Sequence, residues 1–316
     1  MHAHPHDHTH DHGHPHHHGT PGGAHAQATR AFLVGILLNG GFVVLEASFG
    51  VFSHSLALIA DAGHNLSDVL ALALGWGAAA LAMRPPSPQF SYGLRSSSIL
   101  AALANALILL LVTGAIGWAA LLRLGAPQPV AGATMIGVAA IGIVINGATA
   151  LMFAAGRRTD LNIRAAFMHM ASDALIALGV VLTGVAIRLT GWMLLDPIVS
   201  LAISALIVWS TWGVLREAAN LALHGVPAGI DIEAIRDYLA HVPGVAEVHD
   251  LHVWGMSTTE TALTAHLVIP CGHPNDTFIS ELAQALRERF SIGHTTVQIE
   301  RGDGAAPCVL APDHVV

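Results

Sequence analysis

Six stretches of the chain are each as long and as apolar as a helix that crosses a bilayer, and nothing else constrains the fold so strongly. A helix needs roughly 20 apolar residues to cover ~30 Å of hydrocarbon. The stretches are Ala31–Val51, Ser55–Met83, Ser97–Leu122, Ala131–Ala155, Ala165–Leu189 and Leu194–Val214. Turn-forming or polar residues separate them: Phe52-Ser53-His54, Arg84-Pro85-Pro86, Gly125-Ala126-Pro127, Gly156-Arg157-Arg158 and Thr190-Gly191. Small residues recur inside the stretches, as in Gly75-Trp76-Gly77, and let helices pack closely in lipid.

Composition agrees. Hydrophobic residues make up 53% of the 316 and charged residues only 11%, against about 25% in a soluble domain. That excess excludes a disordered chain and argues against a soluble enzyme. The net charge of −8 excludes a nucleic-acid binder held by a basic surface. Two cysteines, Cys271 and Cys308, cannot build a disulfide framework. The expected organisation is a His-rich disordered tail (1–28), a six-helix transmembrane domain (29–216), a soluble domain (217–302) and a C-terminal tail (303–316). The N-terminus lacks the positive start of a secretory signal. Arg30, Arg84, Arg95, Arg157, Arg158 and Arg216 fall on one side of the bundle and Arg123 and Arg188 on the other. This bias puts both termini in the cytoplasm. The absence of Lys with heavy Ala, Gly and Arg use suggests a bacterial source and an inner-membrane location.

Ionisable residues inside the stretches are the informative set. Each costs roughly 2.5–3.5 kcal/mol at mid-bilayer on insertion scales, so such groups face one another or a wet cavity. His64 to Asp68 in the second stretch and His169 to Asp173 in the fifth both read H-x-x-S-D. Residues i and i+4 share a helix face. Two such helices facing each other offer two nitrogens and two oxygens, the four-coordinate set that Zn²⁺ prefers. The alternative is a polar clamp that only holds helices together. Asp61 lies near the same face as His64, as a partner to the ligands or a step on the ion's path. Glu46 is the second accessory residue. Like Asp196, which opens the sixth stretch, it is expected nearer a membrane interface.

In the soluble part, Asp231–His241 reads as a helix, and Ala246–Met256 and Glu260–Pro270 as two strands joined at Ser257-Thr258-Thr259. Thr277–Phe290 reads as a second helix and His294–Arg301 as a last strand. His249 and His266 lie on facing strands, with Glu300 and Cys308 further on, and all are Zn²⁺ ligand types. His252 is expected at a dimer contact, not as a ligand. Cys271, near His273, is an ordinary loop thiol. The tail carries His2, His4, His6, His8, His10, His12, His14, His16, His17 and His18. Its longest His run is three, with Asp7 and Asp11 interspersed, which suits a natural metal-collecting segment better than an affinity tag.

These residues resemble the cation diffusion facilitator family of metal exporters. The resemblance is carried by Ser55-Leu56-Ala57-Leu58-Ile59-Ala60-Asp61-Ala62-Gly63-His64 with Asp68, by Tyr92-Gly93 before Ile99-Leu100-Ala101-Ala102, and by His169 to Asp173. It continues through His249-Asp250-Leu251-His252-Val253-Trp254 and His294-Thr295-Thr296-Val297-Gln298-Ile299-Glu300. It implies a homodimer, each protomer with six helices and a cytoplasmic α+β ferredoxin-like (αββαβ) domain. It also implies transport through His64, Asp68, His169 and Asp173, a two-His, two-Asp set that in the family goes with zinc. Positions matching His249 and His266 bind regulatory zinc in the family, and His294 and Glu300 match ligand positions in some members. One departure is that the loop between helices four and five lacks the His run of some eukaryotic relatives, the His-rich segment standing at the N-terminus instead.

The expected function is Zn²⁺ export, with Co²⁺, Ni²⁺ or Cd²⁺ as further substrates, by proton antiport with alternating access. Zn²⁺ is both cargo and regulatory ligand, and no organic cofactor or nucleic-acid partner is expected. Two other readings compete: a metal sensor, and an intramembrane zinc hydrolase. The second lacks H-E-x-x-H and an open coordination position.

Overall fold

The computed structural model describes residues 39–153, 161–304 and 308–311. The ten tail histidines, the start of the first apolar stretch and the Arg157-Arg158 break lie outside the described residues. The membrane part comprises α1 (Asn39–Phe52), α2 (Leu56–Ala82), α3 (Ser97–Gly125), α4 (Gly132–Phe153), α5 (Leu161–Thr190) and α6 (Leu195–Ala222). Among the described residues five of these helices, α2 to α6, are long and apolar enough to cross a membrane. α1 is described over a shorter apolar run.

The break between α1 and α2 is built by three residues. His54 takes a left-handed conformation (φ 56°) that ends α1. Ser55 then caps α2, its Oγ accepting from the Leu58 amide at 3.2 Å. Asp196, buried at the start of α6, completes the cap: it accepts from Ser55 Oγ (2.6 Å), Leu56 N (2.8 Å) and Ala57 N (3.2 Å). The Arg123 guanidinium, at the end of α3, stands 3.8 Å from the same carboxylate. One buried anion thus ties together the ends of α2, α3 and α6 that lie away from the soluble domain. Asp196 is therefore a helix cap.

α4 packs along α5, and α3 along α6 and α2. At the α4–α5 crossing a Cβ on Gly132 would lie 3.0 Å from the Gly184 carbonyl, so a larger residue would push the two helices apart by a few tenths of an ångström. Leu58, Ile116, Met135, Val180, Ile203 and Ile207 form an apolar core in the same half of the bundle, away from the soluble domain.

α6 runs unbroken past Arg216 to Ala222, so the expected boundary at 216–217 falls inside a helix. Beyond it stand α7 (Ile232–Ala240), β1 (Glu247–Gly255), β2 (Thr261–Val268), α8 (Asp276–Phe290) and β3 (Ile292–Glu300). Asp231 and Asn275 cap the two helices. The sheet order is β1-β2-β3, antiparallel then parallel. Ile235, Leu239, Leu282 and Leu286 of the helices pack on Leu251, Val253, Leu263 and Leu267, which covers one sheet face and leaves the other for polar residues. The β1–β2 turn clasps the start of α3. Arg95 Nη1 donates to both Glu260 oxygens at 2.6 Å, Ser96 Oγ donates to the Met256 carbonyl and Thr258 N donates to Ser98 Oγ.

Candidate metal centres

The two H-x-x-S-D segments face each other across the α2–α5 contact, and each histidine reaches the other helix's aspartate. His64 Nε2 lies 3.2 Å from Asp173 Oδ1, and His169 Nε2 lies 3.3 Å from Asp68 Oδ2 and 3.7 Å from Asp173 Oδ2. The two imidazoles stand edge to face, ring centres 6.2 Å apart. Donors about 2.0–2.2 Å from a tetrahedral zinc are separated by about 3.3–3.6 Å. The two cross-helix contacts, His64–Asp173 and His169–Asp68, are close to that spacing. Donor atoms of His64, Asp68 and Asp173 all lie within 4.8 Å of one another. His169 stands outside that group but touches both carboxylates.

Exposure is graded through the site. Side chains of His169 and Asp68 are 42% and 30% exposed, and those of His64 and Asp173 are 17% and 2%. The open members lie nearer the ends of α2 and α5 on the soluble-domain side, and the closed members lie toward the apolar core. Glu46 and Asp61 are buried beside the centre, and Asn65 Nδ2 donates to Glu46 Oε2 at 3.0 Å. Asn65 gave no signal in the sequence, because its role depends on α1 crossing α2.

A second cluster occupies the open face of the sheet. Register pairs His249 with His266 across β1 and β2, and β3 runs alongside. Donor atoms of His249, His266, Glu300 and Cys308 all lie within 4.8 Å of one another. His266 Nδ1 is 2.9 Å from Glu300 Oε1 and 3.4 Å from Cys308 Sγ. His249 Nε2 is 3.4 Å from Glu300 Oε2, yet neither of its buried ring nitrogens has a hydrogen-bond partner. Orphaned nitrogens beside a carboxylate and a thiol fit a bound Zn²⁺.

His294 does not join this cluster. Parallel pairing places it opposite Ala262, far along β3 from Glu300, where its ring packs on Tyr92 at 5.5 Å. Asp250 was not legible in the sequence. A bulge between His249 and His252, with Asp250 at φ 50°, aims its carboxylate at His266 Nε2 (3.3 Å) and His252 Nε2 (2.8 Å). His252 is thus held by Asp250, and Cys271 is exposed outside the cluster.

Desolvation works against the Glu300 carboxylate, but hydrogen bonds from Cys308 and Gln298 and the two imidazoles outweigh it and hold its pKa below the ordinary value. The Leu310 backbone favours the Cys308 thiolate, but desolvation and the facing Glu300 charge prevail and raise its pKa. Near neutral pH the carboxylate is ready for metal and the thiol still holds its proton, which metal must displace. Zinc affinity at this cluster will therefore rise with pH, by up to about tenfold per unit for each proton released. Cys308→Ser will lower that slope by one proton. Zinc titration of full-length His64→Ala protein between pH 6 and 8 checks this, and an unchanged slope contradicts the thiol's part.

Residues 32–221 match the family model described as the cation efflux transmembrane domain, and residues 227–302 match the cation efflux protein, cytoplasmic domain. The chain is 36% identical to the metal cation efflux system protein CzcD of Cupriavidus metallidurans, over 89% of this chain and 88% of that protein. It is 34% identical to the zinc transporter ZitB of Escherichia coli, over 86% and 87%. It is 32% identical to a cadmium, cobalt and zinc/H(+)-K(+) antiporter of Bacillus subtilis, over 86% and 88%. With five span-length helices, this is a multi-pass membrane protein. The chain belongs to the cation efflux family, also called the cation diffusion facilitators, and is a metal transporter, not an enzyme.

Proposed function

We propose that the protein exports Zn²⁺ from the cytoplasm in exchange for protons, passing the ion through His64, Asp68, His169 and Asp173 by alternating access. The reading is carried by one observation: each histidine pairs with the opposite helix's aspartate at tetrahedral spacing inside an apolar bundle. An idle charge there is ejected, and two nitrogens with two oxygens suit zinc. Binding metal requires neutral imidazoles and ionised carboxylates, so Zn²⁺ and H⁺ compete for the same atoms. Near neutral pH the metal wins; on a more acidic side protons displace it. The exposure gradient gives the ion a way in from the soluble-domain side and a packed barrier beyond. Alternation between this arrangement and one open to the far side completes the cycle. The Bacillus subtilis relative is named a cadmium, cobalt and zinc/H(+)-K(+) antiporter, which supports both the coupling and a breadth of substrates.

In this reading residues 1–28 form a metal-collecting tail, residues 29 to the end of α6 at Ala222 six transmembrane helices, and the chain beyond it to 302 a ferredoxin-like domain of order αββαβ. Residues 303–316 form a tail that brings Cys308 to the sheet. Both termini lie in the cytoplasm, the membrane is the bacterial inner membrane, and two copies act as a homodimer. His249, His266, Glu300 and Cys308 hold regulatory zinc, which ties the three strands to the tail. Deleting residues 1–25 will raise the zinc concentration needed for half-maximal flux and leave the maximal rate within about twofold, since the tail only collects ions. Loss of all flux contradicts that role.

Zinc uptake by proteoliposomes under an imposed pH gradient tests the whole reading. Faster uptake toward the acidic side is expected. Flux indifferent to the gradient refutes antiport, and no flux refutes export.

A further inference from the structure

An antiporter must hold protons somewhere, and this inference rests on the antiport reading. Glu46 on α1 and Asp61 on α2 are 0% and 1% exposed. Their carboxyl groups lie within hydrogen-bonding reach of each other. Asn65 supplies a donor to Glu46 Oε2, but Glu46 Oε1 and Asp61 Oδ1 have none among the described residues. Ionised carboxylates only accept hydrogen bonds. Two adjacent anions in an apolar interior repel each other, with no solvent to screen them. One proton between them removes a charge and turns two orphaned acceptors into an O–H···O bond.

We propose that Glu46 and Asp61 form a proton-binding site of the transporter, separate from the metal ligands, whose proton leaves when metal fills the centre and returns when metal departs.

No hydrogen bond joins either residue to His64, Asp68, His169 or Asp173 among the described residues. The link is electrostatic: His64 on α2 and Asp173 on α5 both act on Asp61. α4, which meets α1 where Phe42 closes on Gly142, brings no ionisable side chain. A divalent cation at the centre favours the doubly ionised pair, and by reciprocity the proton weakens the metal. The balance is simple: the O–H bond breaks, the electron pair stays on the carboxylate and H⁺ passes to water. Any further protons exchanged come from the ligands themselves.

The test counts protons moved per zinc ion in proteoliposomes of the full-length protein, with a pH dye and a zinc dye read together. Glu46→Gln keeps the shape, and its amide still donates to Asp61, but it carries no exchangeable proton. The ratio is expected to fall by one proton per zinc relative to the unaltered protein. A ratio equal to that of the unaltered protein overturns the proposal and makes the pair a fixed structural clamp. If Glu46→Gln does not insert, Asp61→Asn, expected to show the same one-proton loss, decides in its place. If the unaltered protein moves zinc without protons, the antiport reading fails and this proposal fails with it. If it moves protons and both variants match it, only this proposal fails.

Discussion

Asp173→Ala will reduce zinc flux more than about 100-fold while the protein still inserts. Losing a partner that merely orients a ligand already costs 10–100-fold in metal affinity. Asp173 offers more than a partner does: its two oxygens reach His64 at 3.2 Å and His169 at 3.7 Å, so it touches both imidazoles of the centre. It is also the most enclosed of the four residues. No water can substitute for its charge on the closed side, whereas Asp68, more open, has solvent to replace part of what it gives. Asp68→Ala is accordingly expected to do less harm than Asp173→Ala. Asp173→Asn keeps the volume and one acceptor but loses the charge, and will be nearly as defective as alanine. Vesicle uptake normalised to inserted protein checks the order. Flux within twofold of the unaltered protein in Asp173→Ala contradicts the assignment.

Asp196→Ala is expected to lower stability by about 3–5 kcal/mol, the range for removing one member of a buried charged network. The aspartate accepts from the Ser55 hydroxyl and from two amides at the first turn of α2, and it stands beside Arg123. Its loss strands the Ser55 hydroxyl and the two α2 amides in a buried site, while Arg123 keeps its bond to the His54 carbonyl. The α2 amides are the orphan donors every helix start leaves, and among the described residues no other carboxylate is bonded to them. Ser55→Ala, which removes one hydroxyl, should cost about 1 kcal/mol. Thermal unfolding in detergent compares the two. The fraction of Asp196→Ala protein that remains folded should bind zinc in the membrane centre as before, because Asp196 caps a helix and touches no ligand. Equal stability of the two variants would falsify the cap.

What the sequence made legible follows from periodicity. Apolar length announces a membrane helix, and an i, i+4 spacing fixes which side chains share a face, so His64 with Asp68 and His169 with Asp173 were readable as half-sites. The strands around His249 and His266 were readable from alternation, and their pairing brings the two rings to 5.2 Å. What escaped depends on contacts between segments distant in the chain. An aspartate in the first turn of a helix ordinarily caps that helix; Asp196 caps another one, 140 residues earlier, because three helix ends converge. Asp250 looked like any polar strand residue until the bulge turned it toward His266. His294 fell on the right strand but the wrong end, since a parallel register sets its neighbour and sequence does not. The end of α6 was placed too early because hydropathy marks where lipid stops, not where a helix does.

The central claim is that one metal ion sits between α2 and α5, bound by two imidazoles and two carboxylates. Cobalt titration of the protein lacking residues 1–25 and carrying His249→Ala and His266→Ala measures it most directly, because the collecting tail and the soluble cluster are then silent and the visible absorption of Co²⁺ reports coordination. The expected result is one Co²⁺ per chain with the strong bands of a tetrahedral nitrogen–oxygen site, lost on adding His64→Ala. Bands that persist without His64, or a weak octahedral spectrum throughout, would place the ion elsewhere and remove the basis for transport through this pair of helices.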